Sequence, residues 1–456
     1  LMWPSVLIGS AVFGLALLRG DGVLLSAMPF AIAWLLAPAV AHLMSEPATP
    51  KDELVAAPED RALLRTTARR TWRYFEAFTG SDENHLPPDN FQEDPKPVIA
   101  HRTSPTNIGL YLLSVASARE FGWINALTAV ERIEATLATV HKLEKMNGHL
   151  LNWYDTQSLA PLEPRYVSSV DSGNLAGHLL AVANMCRQWC QHLAPTAERL
   201  EGLEDVLAIL REEMARLLTG QREHVARHKQ LRTMFDAFTA GVEAARAAPE
   251  MLAARLIALA MQASSIADLT TLAVRDAEPA AAENVRHWAS ALRQTVEQHF
   301  AEASLDTQVM AELTKRLTAA ADDATAMALA MQFGFLSDPR RNLMSIGYRV
   351  IEHALDESCY DMLASEAALA SYLAIAKGDL PARHWFRLGR PVTAVNGRAA
   401  LVSWSGSMFE YIMPAIVLDP PSASLIDQTI RLVVQQQIAY GNKLGVPWGI
   451  SESAFS

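Results

Sequence analysis

Two apolar, uncharged stretches, Leu1 to Leu18 and Val23 to Met44, open the chain, with Arg19-Gly20-Asp21-Gly22 between them. Each approaches the ~20 residues that carry a helix across a bilayer. Neither has the short apolar core, basic start and small-residue cleavage site of a signal peptide, so residues 1–44 are predicted to be a pair of transmembrane helices. A buried core hairpin is the competing account. Residues 45–59 turn to Pro, Glu, Ala and Asp and read as a juxtamembrane linker. After Met44 come Lys51, Arg61, Arg65, Arg69 and Arg70, whereas the connecting turn offers only Arg19, offset by Asp21. By the positive-inside rule this bias places a multi-pass protein in a membrane with its long polar part on the cytoplasmic face.

Helical spacing resumes at Asp60 to Phe78 through Leu63, Leu64, Trp72 and Phe75. It returns at Ile108 to Phe121 and Asn125 to Leu143, with a proline-rich loop from Asn84 to Thr106 before them. Asn152 to Gly177 is polar and aromatic rather than periodic, and a helix is predicted to start near Leu175. These elements make residues 60–186 the first part of a helical domain. Residues 187–323, rich in Ala, Leu, Glu, Arg and Gln, read as an inserted bundle of long amphipathic helices whose charges form solvated faces. Residues 324–456 return to helices broken by Gly, Pro, Ser and Trp, with one possible strand run, Val392 to Val402. The fold class is all-α.

At 456 residues the chain has room for more than one domain. A net charge of −11 with no basic stripe argues against a nucleic-acid partner. Three cysteines in so long a chain fit a reducing compartment. Cys186 and Cys190 stand one helical turn apart near His178 and His192, but a structural zinc needs four ligands, and buried thiols are the simpler reading. No Walker loop, Rossmann fingerprint, zincin motif or Gly-x-Ser-x-Gly elbow is present. Leu1 is no start residue and Ser456 follows a motif with no closing helix, so the chain reads as a segment of a larger protein.

Three glutamates stand among small and aromatic residues: Glu366 in Ala364-Ser365-Glu366-Ala367, Glu410 in Ser403 to Tyr411, and Glu452 in Gly445 to Ser453. Glycoside chemistry needs two carboxyl groups in different environments, one able to donate a proton and the other to act as base or nucleophile. Glu366 also fits a helix N-terminus. Glu410 also fits a clamp on a loop amide. Glu452 follows a Gly-Val-Pro-Trp-Gly turn where no helix face explains it. Trp153, Tyr166, Trp404 and Trp448 offer flat faces for pyranose rings. His101 to Asn107 is a polar turn whose Arg102 and Asn107 can meet hydroxyls, with capping by Thr106 or Asn107 as the alternative. Asp171 is either an N-cap or a sugar contact.

At these motifs the chain resembles the central region of bacterial cyclic β-1,2-glucan synthases. The resemblance is carried by Arg102 to Tyr111, Leu151 to Thr156, Tyr166 to His178, Ser365-Glu366-Ala367, Ser403 to Tyr411 and Gly445 to Phe455. It implies a glucoamylase-like (α/α)6 barrel, incomplete at the C-terminal end of this sequence. It also implies a parent inner-membrane protein whose glycosyltransferase region, absent here, uses UDP-glucose to build a linear β-1,2-glucan. The implied reaction is ring closure by intramolecular, retaining transglycosylation with no cofactor for this step. Glu366 is expected as general acid/base and Glu452 as nucleophile, in exchangeable roles, with Glu410 and Asp171 holding sugar hydroxyls. The expected partners are linear β-1,2-glucan, the lipid bilayer and other domains of the parent chain. An inverting β-1,2-glucan hydrolase and a silent, membrane-tethered glucan-binding scaffold are the alternatives.

Overall fold

The computed structural model describes residues 3–45, 57–191, 196–218, 225–275 and 277–449. The chain divides into two compact units, residues 1–54 with 420–429 and residues 55–419 with 430–456. In the first, α1 (Trp3–Arg19) and α2 (Asp21–Ser45) form a hairpin in which Gly9 lies against Ala31 and Leu35. Leu7, Leu15 and Leu18 on α1 and Leu25, Phe30 and Leu36 on α2 are exposed. Bare apolar surface costs ~25 cal/mol per Å² in water, so these faces fit a lipid surround better than a core hairpin. Within α2 the apolar stretch Gly22–Val40 is long enough to cross a bilayer.

The second unit begins with α3 (Pro58–Phe78), α4 (Pro105–Glu120), α5 (Ala126–Lys142) and α6 (Ser169–Gln191). Pro105 and the Ser104 cap start α4: the Asn107 amide donates to Ser104 Oγ. The cap is therefore Ser104, and the side chains of Thr106 and Asn107 are left for other work. Asn125 caps α5 in the same way. Helix α6 starts at Ser169, earlier than Leu175, which places Asp171 inside its first turn and sets aside the N-cap account of that residue. Tyr111, Leu112, Ile133, Leu137, Leu175 and Val182 meet in one core.

Four helices, α7 (Thr196–Leu218), α8 (Val225–Ala247), α9 (Leu252–Ala273) and α10 (Pro279–Ala303), close a separate core around Leu203, Leu207, Phe238, Leu256, Leu259, Trp288 and Leu292. The next helix, α11 (Thr307–Ala330), instead puts Leu313, Leu317, Ala321 and Ala324 into the first core and packs along α6. The inserted bundle therefore spans α7 to α10 and stops short of residue 323. Composition hides this boundary because the exposed face of α11 is as polar as the faces of the bundle.

Several bundle charges expected in solvent meet α3. Arg65 pairs with Asp205 at 2.7 Å, and Asp205 also accepts from Trp123 Nε1 at 2.8 Å. Arg61 pairs with Glu201, and Arg70 with Glu212 and Glu213. Arg69 sits over the rings of Trp123 and Trp288 and pairs with Glu76. The arginines that read as a membrane flank thus have a packing reason of their own. Exposed pairs such as Arg61–Glu201 contribute roughly 0–1 kcal/mol. The nearly buried Arg65–Asp205 pair differs, since removing one partner of such a pair costs about 3–5 kcal/mol.

The C-terminal part holds α12 (Ala368–Lys377), α13 (Arg383–Arg387), the hairpin Val392–Val395 with Arg398–Leu401, α14 (Met408–Ile412) and α15 (Leu425–Leu444). The strand run expected at Val392 to Val402 is this hairpin. Other strands are two or three residues long, too short for a period-two signature. Arg102–Thr103 pairs with Tyr154–Asp155, and Tyr166–Ser168 with Gly347–Arg349. The class is all-α, as expected from the sequence.

Helices α4, α6 and α12 pack side by side, with α3 and α5 along α4 and α11 along α6. Thr106 meets Asn174 and Gly109 meets His178, so α4 and α6 run parallel. A Cβ on Gly173 would stand 2.5 Å from Ala370 Cβ and 2.6 Å from its Cα. Gly173→Ala gains up to about 1 kcal/mol of helix propensity. It must also force two helix backbones apart, which costs about 1–3 kcal/mol. The variant is expected to unfold at lower temperature than the parent; an equal or higher Tm would remove the close approach as the reason for glycine.

Candidate active site at the helix starts

The first turns of α4, α6 and α12 lie together, because Thr106 touches Asp171 and Asn174 while Gly173 touches Ala370. Thr106 Oγ1 donates to Asp171 Oδ1 at 2.6 Å and accepts from Asn174 Nδ2 at 3.1 Å. With its amide turned to satisfy both neighbours, Asn152 donates to Asp171 Oδ2 at 3.0 Å and accepts from Trp153 Nε1 at 3.1 Å. Burial pushes the Asp171 carboxyl above its ordinary value, against the opposing pull of its hydrogen bonds from Thr106 and Ser168. A carboxyl biased toward its neutral form is a proton store.

A second carboxylate continues this polar floor. Asp89 accepts from Asn107 Nδ2 at 3.1 Å, from Arg102 at 2.9 Å and from Asn90 Nδ2 at 3.0 Å. The Arg102 guanidinium lies 4.9 Å from the Trp153 ring centre, so one face of that indole is covered by a cation. The Tyr166 carbonyl accepts from the Asn152 amide at 2.7 Å, and the Tyr166 ring fills the space over Gly347. Of the residues expected at a site, Asp171, Arg102, Asn107, Trp153 and Tyr166 are therefore brought into one connected group.

Glu366 lies two residues before α12 and four before Ala370, the residue packed on Gly173. It is half-buried and follows Ser365, whose Oγ accepts from the Ala367 amide. The N-cap of α12 is Ala367, so the helix-start account does not use the Glu366 side chain as a cap. Glu410 is buried at the third position of α14, in a capping box with Ser407. Burial opposes its ionisation, but donors from Ser405, Ser403 and Ser407 outweigh it and hold the carboxyl below the usual range. Trp404 and Trp448 are 52% and 51% exposed, as stacking faces require. Trp404 donates to Asp361 Oδ1 at 3.1 Å, and its ring lies 6.3 Å from that of Tyr360. Glu452 lies outside the described residues.

Sequence reasoning missed Asp89 and Asp361. The signal for Asp89 is its place in Pro87-Pro88-Asp89-Asn90, a loop where no helical period accounts for a carboxylate. Asp361 carries no local signal and emerges only through its contact with Trp404. Among the described residues no group of three or more His, Cys, Asp or Glu side chains converges as a metal-ligand set. Cys186 is a buried thiol, pushed up to about 12 by burial.

An all-α protein of packed helix pairs, with a polar floor where helices start, is the class these features define. Over its whole length the chain is similar to cyclic β-(1,2)-glucan synthase NdvB of Rhizobium meliloti, with 47% identity over 462 aligned positions. The resemblance read from the motifs thus extends from end to end, and the chain spans 16% of that relative's length. No protein-family model matches. Among solved structures, the endo-β-1,2-glucanase of Chitinophaga pinensis in complex with sophorotriose and glucose aligns with a TM-score of 0.47 and 10% identity, over 84% of this chain and 68% of that one. A candidate glucoamylase from Bacteroides caccae aligns with a TM-score of 0.47 and 11% identity over the same shares.

The raised value of Asp171 has a pH consequence. Stability contributed by its neutral form is full below the unfolded value near 3.8 and is lost as pH rises through the higher folded value. The stability advantage of the parent over Asp171→Asn is expected to be largest at acid pH and to shrink on the way to neutrality. Chemical unfolding across pH, with the Asp171 carboxyl titrated by ¹³C NMR, checks this; titration at or below the ordinary value would refute the proton-store reading.

Proposed function

We propose that this chain acts on β-1,2-linked glucan and, within a larger synthase, closes linear chains into rings by retaining transglycosylation. The observation that carries the reading is the 47% identity, along the whole chain, to a segment of a cyclic β-(1,2)-glucan synthase. The polar floor supports it, since carboxylates, amides and a guanidinium beside the half-buried Trp153 suit a chain of sugar hydroxyls and pyranose faces.

In this reading Glu366 and Glu452 are the reacting carboxyl groups. One attacks the anomeric carbon while the other protonates the departing glycosidic oxygen. The second then takes the proton from the 2-hydroxyl at the non-reducing end of the same chain, whose oxygen displaces the enzyme carboxylate. Two displacements retain the β configuration and no water enters the product. Asp171, Arg102 and Asn107 hold hydroxyls, and Trp153, Tyr166, Trp404 and Trp448 border the sugar path. No cofactor takes part in this step. The hairpin of α1 and α2 anchors the protein in a bilayer.

Incubating the full chain in detergent micelles with linear β-1,2-glucan is expected to give products without a reducing end. Glu366→Gln and Glu452→Gln are each expected to lower that rate by at least about a hundredfold, the typical loss for a missing acid/base group or more. Short linear products from the parent would replace ring closure by hydrolysis, and binding without turnover would make the chain a glucan-binding scaffold. An active Glu452→Gln enzyme would sink the assignment of the nucleophile.

A further inference from the structure

Ser403 to Tyr411 folds as a closed loop around one carboxylate. Glu410 accepts from Ser403 Oγ at 2.9 Å, Ser405 Oγ at 2.7 Å, and the amides of Ser405 at 3.0 Å, Gly406 at 2.9 Å and Ser407 at 3.3 Å. All five converge on Oε2, and Oε1 takes a longer bond from the Ser405 amide at 3.3 Å, so the loop is wound around one carboxylate oxygen. At 7% exposure the residue is buried within its own loop and faces inward rather than into solvent. The next residue clamps the loop's entry: Tyr411 Oη accepts from the Ser403 amide and donates to the Leu401 carbonyl. Gly406, at φ +77°, makes the turn that aims these amides inward, and Gln437 Nε2 donates to its carbonyl. The one large side chain that leaves the loop is Trp404. It is half exposed, tied by its indole N–H to Asp361 and set beside Tyr360.

We propose that Glu410 is a positioning residue that acts through the 403–407 loop, holding Trp404 together with Asp361 and Tyr360 as a sugar-stacking wall. This rests on the glucan reading, and it moves Glu410 from sugar ligand to support. Glutamine at 410 removes the charge that gathers five donors on one oxygen, and its amide nitrogen at the other position would face the Ser405 N–H donor against donor, so the loop loosens while the pair Glu366 and Glu452 is left in place. Asp361 ties the N–H edge of the indole and leaves the side chain half exposed.

The test uses the full chain in detergent micelles, with two readouts. In ¹H–¹⁵N spectra the Trp404 indole signal is assigned by its loss in Trp404→Phe. Glu410→Gln is expected to shift or broaden that signal and leave the signals of the other tryptophans in place. In kinetics on linear β-1,2-glucan, Glu410→Gln and Trp404→Ala are each expected to raise KM about tenfold, as loss of one stacked ring would, with kcat within about twofold. The double variant is expected to be no worse than the worse single. An unmoved Trp404 signal with a lost kcat would overturn the proposal in favour of direct chemistry by Glu410. Loss of all indole dispersion would overturn it in favour of a purely structural role. If the parent neither binds nor turns over the glucan, the functional reading falls while the indole readout still decides whether Glu410 holds Trp404.

Discussion

The close approach of α4, α6 and α12 is the constraint on which the site depends. Gly173 beneath Ala370 brings α6 and α12 almost backbone to backbone, and Gly109 beneath the His178 side chain lets α4 lie close along α6. Helix starts carry unsatisfied amides and a partial positive charge, so bringing three together makes a place where carboxylates and hydroxyls are welcome. Thr106, Asn107, Asp171 and Asn174 come from the first two turns of α4 and α6, and Glu366 lies two residues before the third helix. A bulkier residue at either glycine moves the polar side chains as well as the helices.

Much of this was legible in the sequence where it is repetitive. The periods of α3, α4 and α5 and the apolar pair at the start were plain, because many residues report each one. Short strands, caps and boundaries were not. Ser104 rather than Thr106 or Asn107 caps α4, a choice made by one hydrogen bond. The first turn of α6 is polar because it faces a site, so its helical period starts late and the helix was placed from Leu175 onward. The change of core between α10 and α11 was hidden because both helices have polar outer faces.

At the site, the residues found by motif divide by how they are held. Asp171 has a raised proton affinity from burial, whereas Glu410 is kept ionised by the donors around it. Two carboxyl groups of one chain are thus biased in opposite directions by local surroundings alone. A motif gives the letter but not the neighbours, and Asp89, whose partners Arg102 and Asn107 lie more than ten residues away, shows how a residue can escape it.

The seam between α3 and the α7–α10 bundle is made of arginines, carboxylates and indole faces, while each side keeps its own aliphatic core. Parting it would strand buried charges such as Arg69 and Asp205 and uncover the indoles of Trp123 and Trp288. The bundle keeps a core of its own yet is keyed to α3 by buried charges and rings, so a bundle of foreign sequence would need those same groups in the same places to seat here.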